Sequence, residues 1–361
     1  MSPTPPPRPT PPDPPAHGSC ELADVRIDGY SLEIEDEEGL VGDQASQTAF
    51  RELLADWRAR MERAGRDPLG PTPSEEMSKA ELDRIATSGD TEAARTVALA
   101  IDEFSQRLAY VIGRLMRHPS WQGVQRIVVG GGFKESVIGR IAIRQTAARL
   151  QTENQPEALR ALQLQPIHHG ADDGGLAGGV QLLPAELRQA GGAMLAIDIG
   201  GTNVRCGIVR FGPGGHDARV TAREKWRHAD EEGEADLVEG IVGLLRQLMA
   251  GADEEGLALL PVLAVGCPGV VMPDGSIDRG AQNLPSDWRQ ASFHLPRRLQ
   301  ENIPEIGGAA TRVVMHNDAV VQGLSELPFT QDVRQWAVLT IGTGLGNASF
   351  SNRSGAGHGA S

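Results

Sequence analysis

Apolar residues recur along this chain in two rhythms. Phe50, Leu53, Leu54, Trp57 and Met61 lie one helical turn apart and predict an amphipathic helix over 45–64. Val97, Ile101, Phe104, Leu108, Val111, Ile112 and Leu115 predict a longer one over 91–117, capped by Asp90 and stopped by Pro119. Residues 65–73, with Pro68, Pro71 and Pro73, read as a loop between them. From residue 126 onward, helical stripes alternate with short unbroken apolar runs. Arg126–Phe133 reads as a buried strand running into Gly130, Gly131 and Gly132, followed by a helix over 138–151 and a strand over 164–167. Asp172 and Asp173 precede an Ala/Gly-rich helix over 176–183, where carboxylates suit the positive end of the helix dipole. Leu237, Ile241, Leu244, Leu245 and Leu248 mark a helix over 234–250. Strands over 263–265 and 313–315 follow, the second leading into a helix that runs through Glu326; residues 24–36 alternate weakly, as a strand would.

Two stretches have a different design, strand–turn–strand. Met194–Ile199 and Cys206–Phe211 flank the turn Gly200-Gly201-Thr202-Asn203, and Trp336–Phe350 repeats the pattern around Gly342-Thr343-Gly344. The two align as AIDIGGTNVRCGIV over VLTIGTGLGNASFS, which predicts a duplicated architecture with two turns facing one cleft. Glycines there supply positive φ and bare amides, and with the Thr202 and Asn203 side chains they offer donors to a phosphate. The spacing Gly342-x-Gly344-x-Gly346 has no helix after it, which excludes the dinucleotide-binding fingerprint.

Two carboxylates stand at strand ends. Asp198 is placed to hold Mg²⁺ through water, and Asp318, 120 residues later in His316-Asn317-Asp318-Ala319, to take the proton of an attacking alcohol. An Asp at that position equally serves as a helix cap. The run Gly130–Gly132 is either a plain strand–turn or backbone stripped of Cβ for a flat ring or a phosphate. The loop Asn283–Trp288 carries polar side chains and a Trp that suit a hydroxylated ligand. On a strand, His168 and His169 would point to opposite faces and share no metal, and Cys267 reads as a buried thiol.

Composition narrows the classes. At 361 residues and 40% hydrophobic the chain can bury the cores of two lobes. A net charge of −14, with lysine only at 79, 134 and 225 and no cluster of it in the sequence, excludes a nucleic-acid surface. Cys20, Cys206 and Cys267 are too few and too far apart for a disulfide framework or a cysteine-rich zinc site. Neither a signal peptide nor an apolar run of about 18 residues is present, so the expectation is a soluble cytoplasmic protein without a membrane partner. Residues 1–17 are proline-rich and read as a solvated tail, with a docking site for a proline-binding partner as the other reading.

Together, these motifs resemble the ROK family of sugar kinases and repressors, within the actin–hexokinase–heat-shock ATPase superfamily, over roughly residues 45–350. Asp198–Asn203 resembles the family's first phosphate motif and Leu339–Gly346 its second. Ile127–Phe133 resembles the adenosine motif and Asp173–Leu182 the connector helix. Asn317-Asp318-Ala319 matches the segment bearing the catalytic base, and Asn283–Trp288 the sugar-side loop. The resemblance implies an α/β, two-lobed, actin-like (ribonuclease H-like) fold, each lobe a mixed sheet with flanking helices. It implies a glucokinase-like transfer from Mg-ATP to a hexose-like sugar, with Asp318 as base and Asn283, Asn317 and His358 on the sugar, and it implies a homodimer. The implied division is a tail over 1–20, a larger lobe over 21–189 completed by 329–361, and a smaller lobe over 190–328. The adenosine motif and connector stand before the first phosphate motif, the reverse of the family order, which implies a circular permutation. Near the break, Gly357-His358 is the nearest match to a Glu-x-Gly-His sugar contact, with Gly355 in place of the Glu. The family's zinc cysteines are absent apart from a Cys20-Glu21 remnant, so zinc is not expected. A non-catalytic ATP or sugar sensor without a DNA-binding domain is the alternative, and an ATPase of the actin or chaperone type a third reading.

Overall fold

Each of the two hairpins seeds a five-stranded sheet. The computed structural model describes residues 15–37, 39–63, 65, 67–89, 91–228, 236–280, 284, 288, 290 and 292–353. Along the chain, β1 (Val25–Tyr30) and a short ribbon of β2 (Glu35–Asp36) and β3 (Gly39–Leu40) lead into α1 (Gln47–Arg63). Next come α2 (Lys79–Ala86), α3 (Glu92–Leu115), β4 (Arg126–Gly130), α4 (Val137–Leu150), α5 (Glu157–Arg160) and β5 (Gln163–Pro166). α6 (Gly174–Ala177) continues as a 3₁₀ turn over Gly178–Leu182, and α7 (Ala185–Ala190) leads to β6 (Gly192–Ile199), β7 (Val204–Phe211) and β8 (Arg219–Trp226). The remainder is α8 (Leu237–Glu254), β9 (Val262–Cys267), α9 (Leu295–Asn302), a ribbon of β10 (Glu305–Ile306) and β11 (Ala309–Ala310), β12 (Arg312–Asn317), α10 (Asp318–Leu324), β13 (Gln335–Ile341) and β14 (Leu345–Asn352).

The sheets share one plan, with strand orders β12-β9-β6-β7-β8 and β5-β4-β13-β14-β1. In each, the first hairpin strand is central, its partner and a third strand are antiparallel on one side, and two parallel strands lie on the other. This is the two-lobed, actin-like (ribonuclease H-like) α/β architecture. The first sheet is threaded in chain order, β6, β7, β8, β9, β12. The second is threaded in that same order only when β13 and β14 are followed by β1, β4 and β5. The junction is close in space: Val25 pairs with Asn352, and the Arg353 N–H donates to the Asp24 carbonyl at 3.0 Å.

Strand alternation sorts the core into three layers. Ile127, Val129, Leu339 and Ile341 pack outward under α1 to α4, and Leu195, Ile197 and Ile199 outward under α8 and α9. Their neighbours Val128, Val338, Phe350, Met194 and Ala196 face inward and meet Leu176, Val180, Val320 and Leu324. α6, its 3₁₀ extension and α10 therefore fill the space between the sheets. Glycine allows that closeness. A Cβ on Gly178 would overlap the Val321 carbonyl, and one on Gly323 would lie 2.7 Å from the Phe350 ring.

Several local expectations change. α3 is capped by the Thr91 hydroxyl, which accepts from the Ala94 N–H at 3.1 Å; Asp90 lies outside the described residues. Met61 is only partly covered, and the buried residue one turn before it is Arg58, paired with Asp67 at 2.6 Å. His168 and His169 sit in the bend after β5, so both rings reach Phe329 instead of opposing faces. Trp288 is 2% exposed and stacks on Phe293, a core position that faces no ligand. Cys267 is a buried thiol, as expected, and burial raises its pKa well above the usual range.

Gly178→Ala should destabilise the protein by about 2 kcal/mol, because the new methyl cannot fit between the 3₁₀ turn and α10. Gly243→Ala on α8, with open space around it, should stabilise by about 0.5–1 kcal/mol. Chemical denaturation of the two variants beside the parent checks both signs.

Candidate active site

The site is assembled at the carboxyl ends of three neighbouring parallel strands, where open α/β sheets hold their ligands. β6 ends near Asp198, which is in register with Gly266 of β9, and Gly266 in turn with His316 of β12. Asp318 follows β12 directly as the first residue of α10. A Cβ on Gly266 would lie 3.5 Å from the Asp318 Cα and 3.7 Å from Asp198 Oδ1. The two carboxylates thus flank one glycine.

Asn317 takes the capping duty at this helix, its Oδ1 accepting from the Val320 N–H at 3.2 Å. That frees Asp318 from the role of cap. The Asn317 amide nitrogen donates to the Gly269 carbonyl at 3.0 Å and to Ser31 Oγ at 3.1 Å. Expected on the sugar, Asn317 is 2% exposed and spends its amide on holding this corner.

Asp318 keeps part of its surface open, yet its carboxyl is pushed up to about 7, first by burial and then by the charge of Asp198. Burial also raises Asp198, opposed by Arg205, whose Nη1 lies 3.2 Å from Asp198 Oδ2. Arg205 faces Asp198 across the β6–β7 pair and reaches on to Asp172 at 2.5 Å. The charge of Asp198 is close enough to raise Asp318, and two neighbouring carboxylates form a hard oxygen set of the kind a divalent cation relieves. No cluster of three or more ligating side chains occurs among the described residues. One or two carboxylates completed by water and substrate phosphate is a donor set that suits Mg²⁺.

The hairpin turns meet. Thr202 Oγ1 and Thr343 Oγ1 are 3.0 Å apart, so the first and second glycine turns touch across the cleft. Each is closed in the same way: the Gly200 N–H donates to the Asn203 carbonyl and the Gly342 N–H to the Gly344 carbonyl, both at 2.9 Å. Those two amides are consumed by the turns, and none of Gly200, Gly201, Gly342 and Gly344 has positive φ, contrary to expectation. Backbone exposure, rather than left-handed conformation, is what these glycines supply. The start of α1 holds the second turn: the Gln47 N–H donates to Gly342 at 2.9 Å and Thr48 Oγ1 to Thr343 at 3.1 Å.

The triple glycine lies beside this turn, with Gly130 opposite Thr340 in parallel register. Its members differ. A Cβ on Gly130 would overlap the Gln322 amide and one on Gly131, at φ 80°, the Ile341 backbone, so protein covers both. A Cβ on Gly132 would come 3.0 Å from Lys79 Nζ. A shallow pocket beside it is lined by Phe50, Phe133, Leu82, Ile138, Arg51 and Lys79. A second cavity, of about 240 Å³, is lined by Ser31–Ile34, His118 and Arg279 and adjoins Asn317 through Ser31.

The sequence reading missed the cations. Asp173 stands at the N-terminus of α6, as expected, but it also pairs with Arg223, and Asp172 pairs with Arg205 and Lys225. Lysine looks scattered in sequence, yet Lys79 contacts Gly132, Lys134 pairs with Glu135, and Lys225 meets Asp172 near them. Only the period-two alternation of β7, which sets Arg205 on the face of Asp198, was open to sequence reasoning. Asn283 and His358, both expected on the sugar, lie outside the described residues.

No family model matches the sequence, and no curated protein matches it. Among solved structures, the chain is similar to a ROK family glucokinase from Streptomyces griseus in complex with glucose and AMPPNP, at 25% identity and a TM-score of 0.33, over 45% of this chain and 47% of that one. A ROK hexokinase from Thermus thermophilus matches at 21% identity and a TM-score of 0.23, over 35% of each chain. A Ppx/GppA phosphatase from Aquifex aeolicus matches at 15% identity and 0.20, over 34% of this chain and 35% of that one. The chain spans less than half the length of each, and matches of that extent carry no residue role or activity across. No helix among the described residues is long and apolar enough to cross a membrane.

A carboxyl whose folded pKa lies near 7 holds a proton that the unfolded chain, at 3.8, has already released. In metal-free protein this group's contribution to stability should therefore fall as pH rises from 3.8 to about 7. Asp318→Asn removes it, so the Tm of the variant minus that of the parent should climb across this window in EDTA. A constant difference would show that Asp318 titrates normally.

Proposed function

We propose that this protein transfers the γ-phosphoryl group of ATP to a hydroxyl of a hexose-like sugar, in glucokinase fashion, with Asp318 as general base. One observation carries the reading: Asp198 and Asp318 flank Gly266, and two touching glycine turns lie in the same cleft. The nucleotide lies with its adenosine near Gly132 and its phosphates toward Thr202 and Thr343, with Gly200, Gly201, Asn203 and Gly344 around them. The sugar takes the cavity at Ser31–Ile34, whose Ser31 wall touches Asn317. Positioning residues complete the arrangement: Asn317 fixes the start of α10, and Arg205 fixes the Asp198 carboxylate.

In the transfer, the sugar hydroxyl gives its proton to the Asp318 carboxylate as its oxygen bonds to the γ-phosphorus. The bond to the β–γ bridging oxygen breaks, and ADP leaves with that electron pair. The protein contributes position and charge, and closure of the cleft excludes water. Bound through Asp198, Mg²⁺ would neutralise charge on the phosphates. We also infer that the order of the motifs is a circular permutation, supported by the threading of the second sheet and the Arg353–Asp24 contact.

The test is ATP consumption with Mg²⁺ against a panel of hexoses, amino sugars and N-acetylated sugars. Turnover on one of them is expected, and Asp318→Asn should lower kcat about 10²–10⁴-fold while MgATP binding persists. Near-normal turnover in that variant would remove Asp318 from the mechanism. ATP or sugar binding with no turnover on any sugar would favour the sensor.

A further inference from the structure

We infer that Lys79 and Lys225, one from each lobe, form a cationic clamp on the phosphate chain of the bound nucleotide. The inference rests on the kinase reading above for the identity of the ligand.

This acidic chain has only three lysines, and all of them gather at one end of the cleft. Lys134 is buried and neutralised by Glu135 at 2.8 Å. The other two are exposed. Lys79 is the first residue of α2, and its Nζ donates to the Gly132 carbonyl at 3.0 Å. Its partner is a neutral carbonyl, and among the described residues it makes no ion pair. Lys225 extends from β8, the edge strand of the other sheet, and lies 3.1 and 3.2 Å from the two Asp172 oxygens. Arg205, which also holds Asp198, competes for the same carboxylate, so Lys225 has no negative charge to itself.

The surroundings tie the two lysines together. Glu135, three residues beyond Gly132, accepts from the Ala171 N–H at 2.9 Å, which puts the Asp172 loop against the triple-glycine turn. Arg51 from α1 adds a third cation to the wall that Lys79 lines. Although Lys79 is exposed as a residue, its ammonium is partly covered where it meets Gly132, and it is lowered first by that desolvation and then by Arg51 and Lys225, against the pull of Asp172 and Glu135. Like charges from two lobes thus face one another with too few carboxylates between them. That arrangement is unfavourable when empty and favourable around a polyanion.

The location identifies the anion. Gly132, the member of the triple glycine that protein atoms cover least closely, lies on one side of Lys79. On the other, β13 runs alongside Gly130 to the turn where Thr343 meets Thr202. Gln47 links the two: its side-chain amide lies beside Gly132 with the Lys79 ammonium, and its backbone N–H holds Gly342 of that turn, so a phosphate chain at the turn comes within reach of Lys79. Lysine serves phosphate as a point charge and needs no bidentate geometry. Gly132 leaves room for the ammonium, which any side chain there would displace.

Isothermal titration of MgATP, MgADP and adenosine into the parent, Lys79→Met, Lys225→Met and Lys79→Arg proteins tests this. Each Met variant should weaken MgATP binding about tenfold or more, leave adenosine binding unchanged and flatten the salt dependence, while Lys79→Arg retains most of the affinity. Since both lysines are exposed, the variants should melt at the parental temperature, which circular dichroism checks. Parental MgATP affinity in both Met variants would overturn the clamp and leave the kinase reading standing. Parent protein that binds no MgATP would overturn both. Binding that follows the clamp pattern without turnover on any sugar would support the clamp and remove the kinase reading alone.

Discussion

The position of α10 is the constraint on which the rest depends. It is only seven residues long, yet six of them are buried, between two sheets and against the 3₁₀ turn that follows α6. Glycine faces it at Gly178 and Gly130, where any side chain would collide with its backbone or with Gln322, and at Gly266, where a methyl would already touch Asp318 and Val321. Such packing leaves the helix no freedom to slide, because the interior is dense and a shift of one residue would clash on both sides. Asp318 is its first residue, so the lobe interface itself sets where the carboxylate stands. Asn317 completes the fixation with hydrogen bonds to α10, Gly269 and Ser31.

Electrostatics in the cleft run against the average of the chain. The protein is acidic overall, but Arg205, Arg223, Lys225, Lys79 and Arg51 converge near the two glycine turns, and Asp172 is shared between Arg205 and Lys225. Across Gly266 the charge of Asp198 pushes the Asp318 carboxyl up, while Arg205 counters the burial of Asp198. A cleft that holds crowded carboxylates at one end and crowded cations at the other suits a metal-bound polyphosphate lying along it. Neither crowding gains the fold stability, and the metal-bound nucleotide proposed above would relieve both.

The twin sheets account for the unusual order of the motifs. A hairpin needs only its own turn and a neighbouring strand, so each hairpin folds the same way wherever it falls in the chain. The third strand of the second sheet, β1, pairs with β14 along Val25–Tyr30 although more than 300 residues separate them in sequence. Arg353 and Asp24 touch at that point, so chain continuity there would change little of the packing.

Both hairpins, the stripes of α1, α3 and α8, the buried strand into the triple glycine and the two candidate carboxylates were legible in the sequence. Each is a local pattern: period two, period 3.6, or a polar residue at the end of an apolar run. The motif resemblance pointed to the same two-lobed plan before any contact was known. What the chain alone could not decide were contacts between residues far apart. Thr91 rather than Asp90 caps α3, Trp288 turns into the core, and Gly130 and Gly131 are covered by Gln322 and Ile341 rather than left bare. Three scattered lysines become a group, and Asp172 and Asp173, at the start of α6 as expected, also find arginine and lysine partners. Local pattern sets which face of an element is apolar; only the meeting of two sheets decides what each polar side chain finds opposite it. The charge on a residue is written in the sequence, and its partner is a property of the fold.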